Sequence, residues 1–191
     1  MRRALTHLLT GLLAGLAMHA PAADTYTLDP THTFPSFEVR HHGVSWMRGK
    51  FNKSRGSVVL DPEGGASRIE AVIDMTSVDT GLDDLNRMLQ GGIFLDAARF
   101  PEARFVATDL SWQDGKPVAA RGELTLRGIT RPVTLEIRDY ACASHFLSRR
   151  PLCGADAHVV LNRRDFGITF GGANLIGDEV RLAIAVEGYR E

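Results

Sequence analysis

Apolar and polar residues alternate with a period of two along most of this chain. Val133, Leu135 and Ile137 interleave with Thr134, Glu136 and Arg138. Ile69, Ala71, Ile73 and Met75 interleave with Arg68, Glu70, Val72 and Asp74, and Val180, Leu182, Ile184 and Val186 with Arg181, Ala183, Ala185 and Glu187. Successive side chains of a strand point to opposite faces, so this pattern predicts strands. Further strands are predicted over 34–41, 44–51, 56–61, 103–112, 119–127 and 156–162. Turn-forming runs separate them: Asp61-Pro62-Glu63-Gly64-Gly65, Asp114-Gly115-Lys116-Pro117 and Gly171-Gly172. Many short strands with frequent turns predict an all-β barrel or sandwich. One segment breaks the period. Leu82, Leu85, Met88 and Leu89 fall at helical spacing, Asp83 and Asp84 occupy what would be a first helical turn, and Gly91-Gly92 ends the run. A short helix is predicted over 82–90, between two strands. In a barrel it would lie at a rim, where plugging the core and covering a cavity are both open to it.

The first residues read as an export signal. Arg2 and Arg3 precede an uncharged stretch containing Leu5, Leu8, Leu9, Leu12, Leu13, Leu16 and Met18, followed by Ala20-Pro21-Ala22. Small residues stand where a signal peptidase reads, so residues 1–22 are expected to be a cleaved leader, with cleavage after Ala22 or Ala23. The stretch falls short of the roughly 20 apolar residues that span a bilayer, so stable membrane insertion is not expected. About 169 residues then remain, 23–191, a length that suits one domain. Loss of Arg2 and Arg3 leaves 20 of the 22 basic residues against 23 acidic ones, a net charge of −3. That balance offers no electrostatic case for nucleic acid. It leaves monomer and homodimer open. Export to the periplasm would also expose both cysteines, Cys142 and Cys153, to an oxidising compartment. They flank a predicted hairpin loop, and a disulfide there would stabilise the fold by roughly 2–3 kcal/mol.

Catalytic signatures are missing from the sequence. It has no G-x-S-x-G elbow, phosphate loop or H-E-x-x-H. His41-His42 suggests a metal pair, but neighbours on a strand point to opposite faces, and neither they nor His32 bring an evident third ligand. No metal and no cofactor are expected. Asp83-Asp84 reads as helix-terminal charge, Asp29-Pro30 as a turn and Asp165 as a strand-end charge. What stands out instead is apolar surplus: Phe34, Phe37, Phe51, Phe94, Phe100, Phe105, Phe166 and Phe170 among many aliphatics. A filled core and a ligand cavity both account for it.

Six blocks, in order, resemble the YceI-like family of lipocalin-like polyisoprenoid-binding proteins. They are Tyr26-Thr27-Leu28-Asp29-Pro30-Thr31-His32; residues 37–51, Phe37 to Phe51; Thr76-Ser77-Val78-Asp79-Thr80; residues 94–101, Phe94 to Pro101; residues 122–135, Gly122 to Leu135; and residues 162–168, Asn162 to Ile168. The resemblance covers nearly the whole of 23–191. It implies an eight-stranded antiparallel barrel with the helical insert, an elongated pocket for a polyprenyl or quinone-like chain, and binding or carriage without catalysis. Each isoprene unit would bury about five carbons, roughly 4 kcal/mol gross. The expected pocket residues are Phe37, Val39, Phe51, Ile73, Met75, Leu85, Met88, Leu89, Phe94, Phe105, Leu124, Leu126, Leu135, Ile137, Leu182 and Ile184. Alternation defines two faces without saying which points inward. The chain departs from the family in its insert, where Leu85-Asn86-Arg87-Met88-Leu89 replaces a common Arg-Asp-x-His-Leu. That change points to a less charged headgroup, or to an insert that meets a protein or membrane. A filled barrel serving structural or stress-related interactions, and a lipid-modifying enzyme, are the alternatives.

Overall fold

A computed structural model describes residues 23–63, 65–172 and 174–191, and among these residues there are eleven strand segments, one α-helix and two short 3-10 turns. The expected leader lies outside the described residues. The last strand, β11 (Ile176–Arg190), explains the architecture. One edge pairs with β10 (Pro151–Asn162) along its length. The other edge pairs with two segments in succession: β1 (Asp24–Leu28), from Tyr26 opposite Arg190, and β2 (Phe34–His41), from Phe34 opposite Ala185. These segments are halves of one bent strand. The same holds for β3 (Ser45–Phe51) with β4 (Ser54–Leu60), and for β5 (Arg68–Asp74) with β6 (Val78–Asp79). Counted so, with β7 (Glu102–Gln113), β8 (Lys116–Leu126) and β9 (Ile129–Ser144), there are eight strands. Each is antiparallel to its neighbours, and the ring closes where β1 meets β11. This is the up-and-down barrel geometry, which leaves no sheet edge open and encloses a narrow interior.

The three breaks are tied to one another by side chains. At Asp29 the carboxylate accepts from the Thr31 amide (2.8 Å) and hydroxyl (2.6 Å), forming an Asx turn. Ser54 donates to the Thr33 carbonyl at 2.7 Å, and the Lys53 amide donates to the Ser77 hydroxyl at 3.0 Å. Asp74 caps the 3-10 turn Met75–Ser77 by accepting from the Thr76 amide. The kinks thus fall next to one another, and the wall bends as a unit. Hairpins are set by residues that accept left-handed backbone. Asp114-Gly115 (φ 50° and 71°) and Arg127-Gly128 (φ 53° and 72°) form two-residue loops whose twist suits the flanking strands.

The helix α1 (Asp83–Gln90) closes one end of the barrel. Leu82 gives it no side-chain cap, and Asp83 and Asp84 offset the helix dipole instead. Two polar straps hold it down. Asn86 accepts from the Thr80 amide and hydroxyl, both at 2.8 Å, and Gln90 donates to the Thr76 carbonyl at 2.9 Å. Tight packing is local, in two clusters. Phe105, Ala107, Ala120, Leu124, Val133 and Phe166 form one buried cluster, and Met75, Ala97 and Ala103 another under the helical end.

Candidate functional site: an apolar interior in two chambers

The inward faces of the strands do not fill the barrel. A chamber of about 460 Å³ lies under α1, and a second of about 160 Å³ lies deeper. They adjoin at a waist, where Pro35, Ile73, Leu124, Leu182 and Ile184 line both. The alternation of the sequence therefore sorts into an inward set around this space and an outward set in water. Phe37, Val39, Phe51, Met75, Leu85, Met88, Leu89, Phe94 and Leu126 line the larger chamber, together with the waist residues. Phe105, Leu135 and Ile137 line the deeper one. The structure thus brings every residue of the expected pocket to a chamber wall, divided between two compartments.

Several wall residues lie outside that set. Phe166, Ile168, Phe170 and Leu175 reach the larger chamber from the segment between β10 and β11. Phe166, Ile168 and Phe170 alternate with Gly167 and Thr169, yet the segment joins no strand and is shaped by Arg163. The Arg163 guanidinium is 5% exposed and donates to the carbonyls of Ile168 (2.7 Å), Phe170 (2.8 Å), Gly171 (2.9 Å), Gly177 (3.0 Å) and Ile176 (3.1 Å). It also pairs with Asp178 at 2.9 Å, and Arg164 reaches the same oxygen at 2.7 Å. Burial pulls the Arg163 pKa down and Asp178 opposes the fall. One side chain thereby organises a loop that is short of backbone partners, and Phe170 is set edge-on against Phe94 with ring centres 5.5 Å apart. Asp165 belongs to the 3-10 turn Arg163–Phe166 rather than to a strand end.

Charged groups are confined to the mouth, and the deeper chamber has only the neutral Thr33 and Ser54 part-way along its wall and two tyrosines at its far end. Arg40, His41, Arg48, Thr80 and Arg163 line the larger chamber towards its mouth. At the far end of the deeper chamber stand Tyr26, Tyr140 and the disulfide between Cys142 and Cys153, which face each other across β9 and β10. The Tyr26 hydroxyl lies 3.3 Å from Cys153 Sγ, and that of Tyr140 lies 3.1 Å from Cys142 Sγ. Burial, with Tyr140 and Asp24 adding to it, pushes the Tyr26 pKa up to about 12, so this floor is uncharged at neutral pH.

The candidate chemistry resolves differently from its appearance in sequence. His41 and His42 do not point apart. The strand ends at His41, His42 adopts φ 51°, and the rings pack edge to face with centres 4.3 Å apart. Among the described residues, the group of three donors close enough to share an ion is Asp29, His32 and Glu187. His32 Nδ1 is 2.8 Å from the Asp29 carboxylate, and Thr31 takes the other Asp29 oxygen, so the Asp-Pro-Thr-His run builds the turn between β1 and β2. The hydrogen bond to Asp29 raises the His32 pKa; for Asp29, burial is outweighed by bonds from His32 and Thr31, and its pKa falls.

An eight-stranded antiparallel barrel around an elongated, largely apolar interior defines a lipocalin-like protein. The YceI-like domain model matches residues 26–188, almost all of the described chain. A UPF0312 protein of Yersinia pestis (strain Pestoides F) is 35% identical over 195 aligned positions, covering 100% of this chain and 98% of its own. The chain belongs to the YceI-like family. Among solved structures, Burkholderia cenocepacia BcnA superposes with a TM-score of 0.71 at 22% identity, over 84% of this chain and 98% of that one. A polyisoprenoid binding domain from Saccharophagus degradans superposes with a TM-score of 0.62 at 17% identity, over 87% and 98%. At these identities the two structures speak for the fold alone.

Proposed function

We propose that this protein binds and carries a long-chain isoprenoid lipid, polyprenyl or quinone-like, in the periplasm, and that it does so without catalysis. The observation that carries this reading is the distribution of polarity in the cavity. An apolar run extends from the mouth through the waist into the deeper chamber, with charged side chains only at the mouth. A slender apolar chain with one polar end fits that distribution. Burying its carbons contributes about 0.8 kcal/mol each, before ordering costs. Phe37, Val39, Phe51, Met75 and Phe94 would contact the part near the mouth, and Phe105, Leu135 and Ile137 its inner tip. A relative in fold is named for polyisoprenoid binding, which agrees with this choice of ligand class. The polar groups at the mouth are guanidinium and imidazole groups with one threonine, and include no nucleophile paired with a base. Export would place the carrier where a lipid must be shielded from water between membranes.

The test is native mass spectrometry of protein purified from the periplasm with its own leader. A co-purifying species of isoprenoid mass, released on unfolding, is the expected result. A bare chain that also fails to take up added polyprenol or ubiquinone overturns the carrier reading. Conversion of the added lipid overturns the absence of catalysis.

A further inference from the structure

We propose that the mouth of the barrel is a docking face for the surface of a lipid bilayer carrying anionic headgroups. Among the described residues, the strongly exposed large apolar side chains are Val44, Leu82, Met88, Ile93, Phe146, Leu147, Val160 and Phe170. Five of these eight stand at one end of the molecule. Val44 tips the β2–β3 hairpin, Leu82 and Met88 belong to the start and outer part of α1, Ile93 follows the helix, and Phe170 lies in the loop held by Arg163. That end is the mouth, because Met88 and Phe170 also line the larger chamber. Apolar surface is therefore shared between the outer rim and the interior through these two side chains.

This sharing selects the occupant. Exposed apolar patches rimmed by polar groups mark protein or membrane contacts. A protein partner has no need of an apolar path into the cavity. A lipid chain leaving a bilayer does, since each carbon crossing open water costs about 0.8 kcal/mol. Charge points the same way. The ionisable side chains lining the mouth are Arg40, His41, Arg48 and Arg163, with no carboxylate among them. Arg163 is buried and spent on carbonyls and Asp178, and Arg48 pairs with Glu38, so Arg40 and His41 are the basic groups this face can offer a headgroup. Nearby acids are mostly paired, Glu38 with Arg48, Asp178 with Arg163 and Arg164, and Asp84 with Arg87, while Asp79 accepts from Asn52 and the Gly81 amide and Asp83 stands in the first turn of the helix. Basic groups beside an apolar rim suit an anionic surface. The described helix is too short to cross a membrane, so contact is interfacial.

The inference takes its purpose from the carrier reading, but its measurement does not depend on cargo. The assay is flotation of residues 23–191 with phosphatidylcholine vesicles, with and without phosphatidylglycerol. Two double variants are compared with the parent. Val44→Asp with Ile93→Asp alters the rim at positions that do not line a chamber. Phe146→Asp with Leu147→Asp alters the most exposed apolar pair at the opposite end, as a control. Parent protein is expected to float, more with phosphatidylglycerol. The rim variant should lose about tenfold or more in partitioning, with the control unchanged and thermal unfolding the same for all three. Equal flotation of rim variant and parent overturns the proposal, as does no flotation of the parent or loss in the control alone. Sedimentation showing a dimer that only the rim variant dissociates also overturns it, in favour of a second copy covering the face. Rim-dependent flotation of protein that carries no lipid supports docking while removing the carrier reading.

Discussion

Ala157→Phe separates use of the deeper chamber from its mere presence. Ala157 is 6% exposed, sits on β10 opposite Ile184 and Ile137, and lines only the deeper chamber. A phenyl ring at this position extends into the space of about 160 Å³. Two effects of opposite sign follow. The empty barrel should gain about 0.5–2 kcal/mol, as fillings of apolar cavities commonly do, which raises Tm by roughly 2–4 °C per kcal/mol at this size. A bound chain, by contrast, must withdraw about one isoprene unit, or about five carbons and 4 kcal/mol gross. Allowing half for the entropy of ordering those carbons leaves ~2 kcal/mol, about 30-fold in affinity for long chains. The assay pairs thermal unfolding of delipidated protein with native mass spectrometry of protein offered a mixture of polyprenol lengths. The variant should melt higher and select shorter chains than the parent. Unchanged length selection refutes use of the deeper chamber. A fall in Tm shows that the ring does not fit, and Ala157→Leu then gives the same test with a smaller group.

Three further outcomes are expected. Met88→Asp places a carboxylate at a half-exposed position of the mouth, where it can stay in water; stability should change by less than about 0.5 kcal/mol, while lipid release quickens severalfold. Unfolding of this variant would instead make Met88 part of the core. Replacing Cys142 and Cys153 by alanine together should cost about 2–3 kcal/mol in denaturant unfolding, and an unchanged midpoint would show that the bridge adds nothing. The Asp29–His32 pair should shape stability against pH. His32, with its pKa raised above 6.5, contributes fully below that value and loses its contribution as pH rises through the folded value. Asp29, lowered from 3.8, contributes above that value and loses its share as pH falls through the folded one. The pair therefore helps most between these limits, and His32→Gln should flatten the alkaline side of a Tm-against-pH profile; a profile identical to the parent's would contradict the assignment.

Strands with one dry and one wet face were readable because their inward residues are large and regularly spaced, as in Leu182, Ile184 and Val186. β1 was not, since Asp24-Thr25-Tyr26-Thr27-Leu28 carries few aliphatics and buries a tyrosine. The helix was readable from Leu85, Met88 and Leu89, which all face the larger chamber. Its straps were not, because Asn86 to Thr80 and Gln90 to Thr76 look like ordinary surface residues until the loop closes. The three broken strands hid for a similar reason: Asp29, Asp74 and Ser77 bend the wall through hydrogen bonds that leave no hydrophobic signature. Arg163 was the least legible wall residue. A guanidinium reads as solvent-facing by composition, and here five carbonyls replace water around it.

Closure of the barrel between β1 and β11 sets an order of events. Tyr26 meets Arg190 and Leu28 meets Gly188, so the seam joins residues at least a hundred and sixty positions apart. The same strand, β11, supplies Leu182 and Ile184 to the waist. A chain that emerges from a channel N-terminus first can form its hairpins as they appear, because each strand pairs with the one before it. It has no enclosed interior until β11 is free. Long-range pairings of this kind are the slow part of folding. The enclosed interior thus exists only once the last strand has closed the ring.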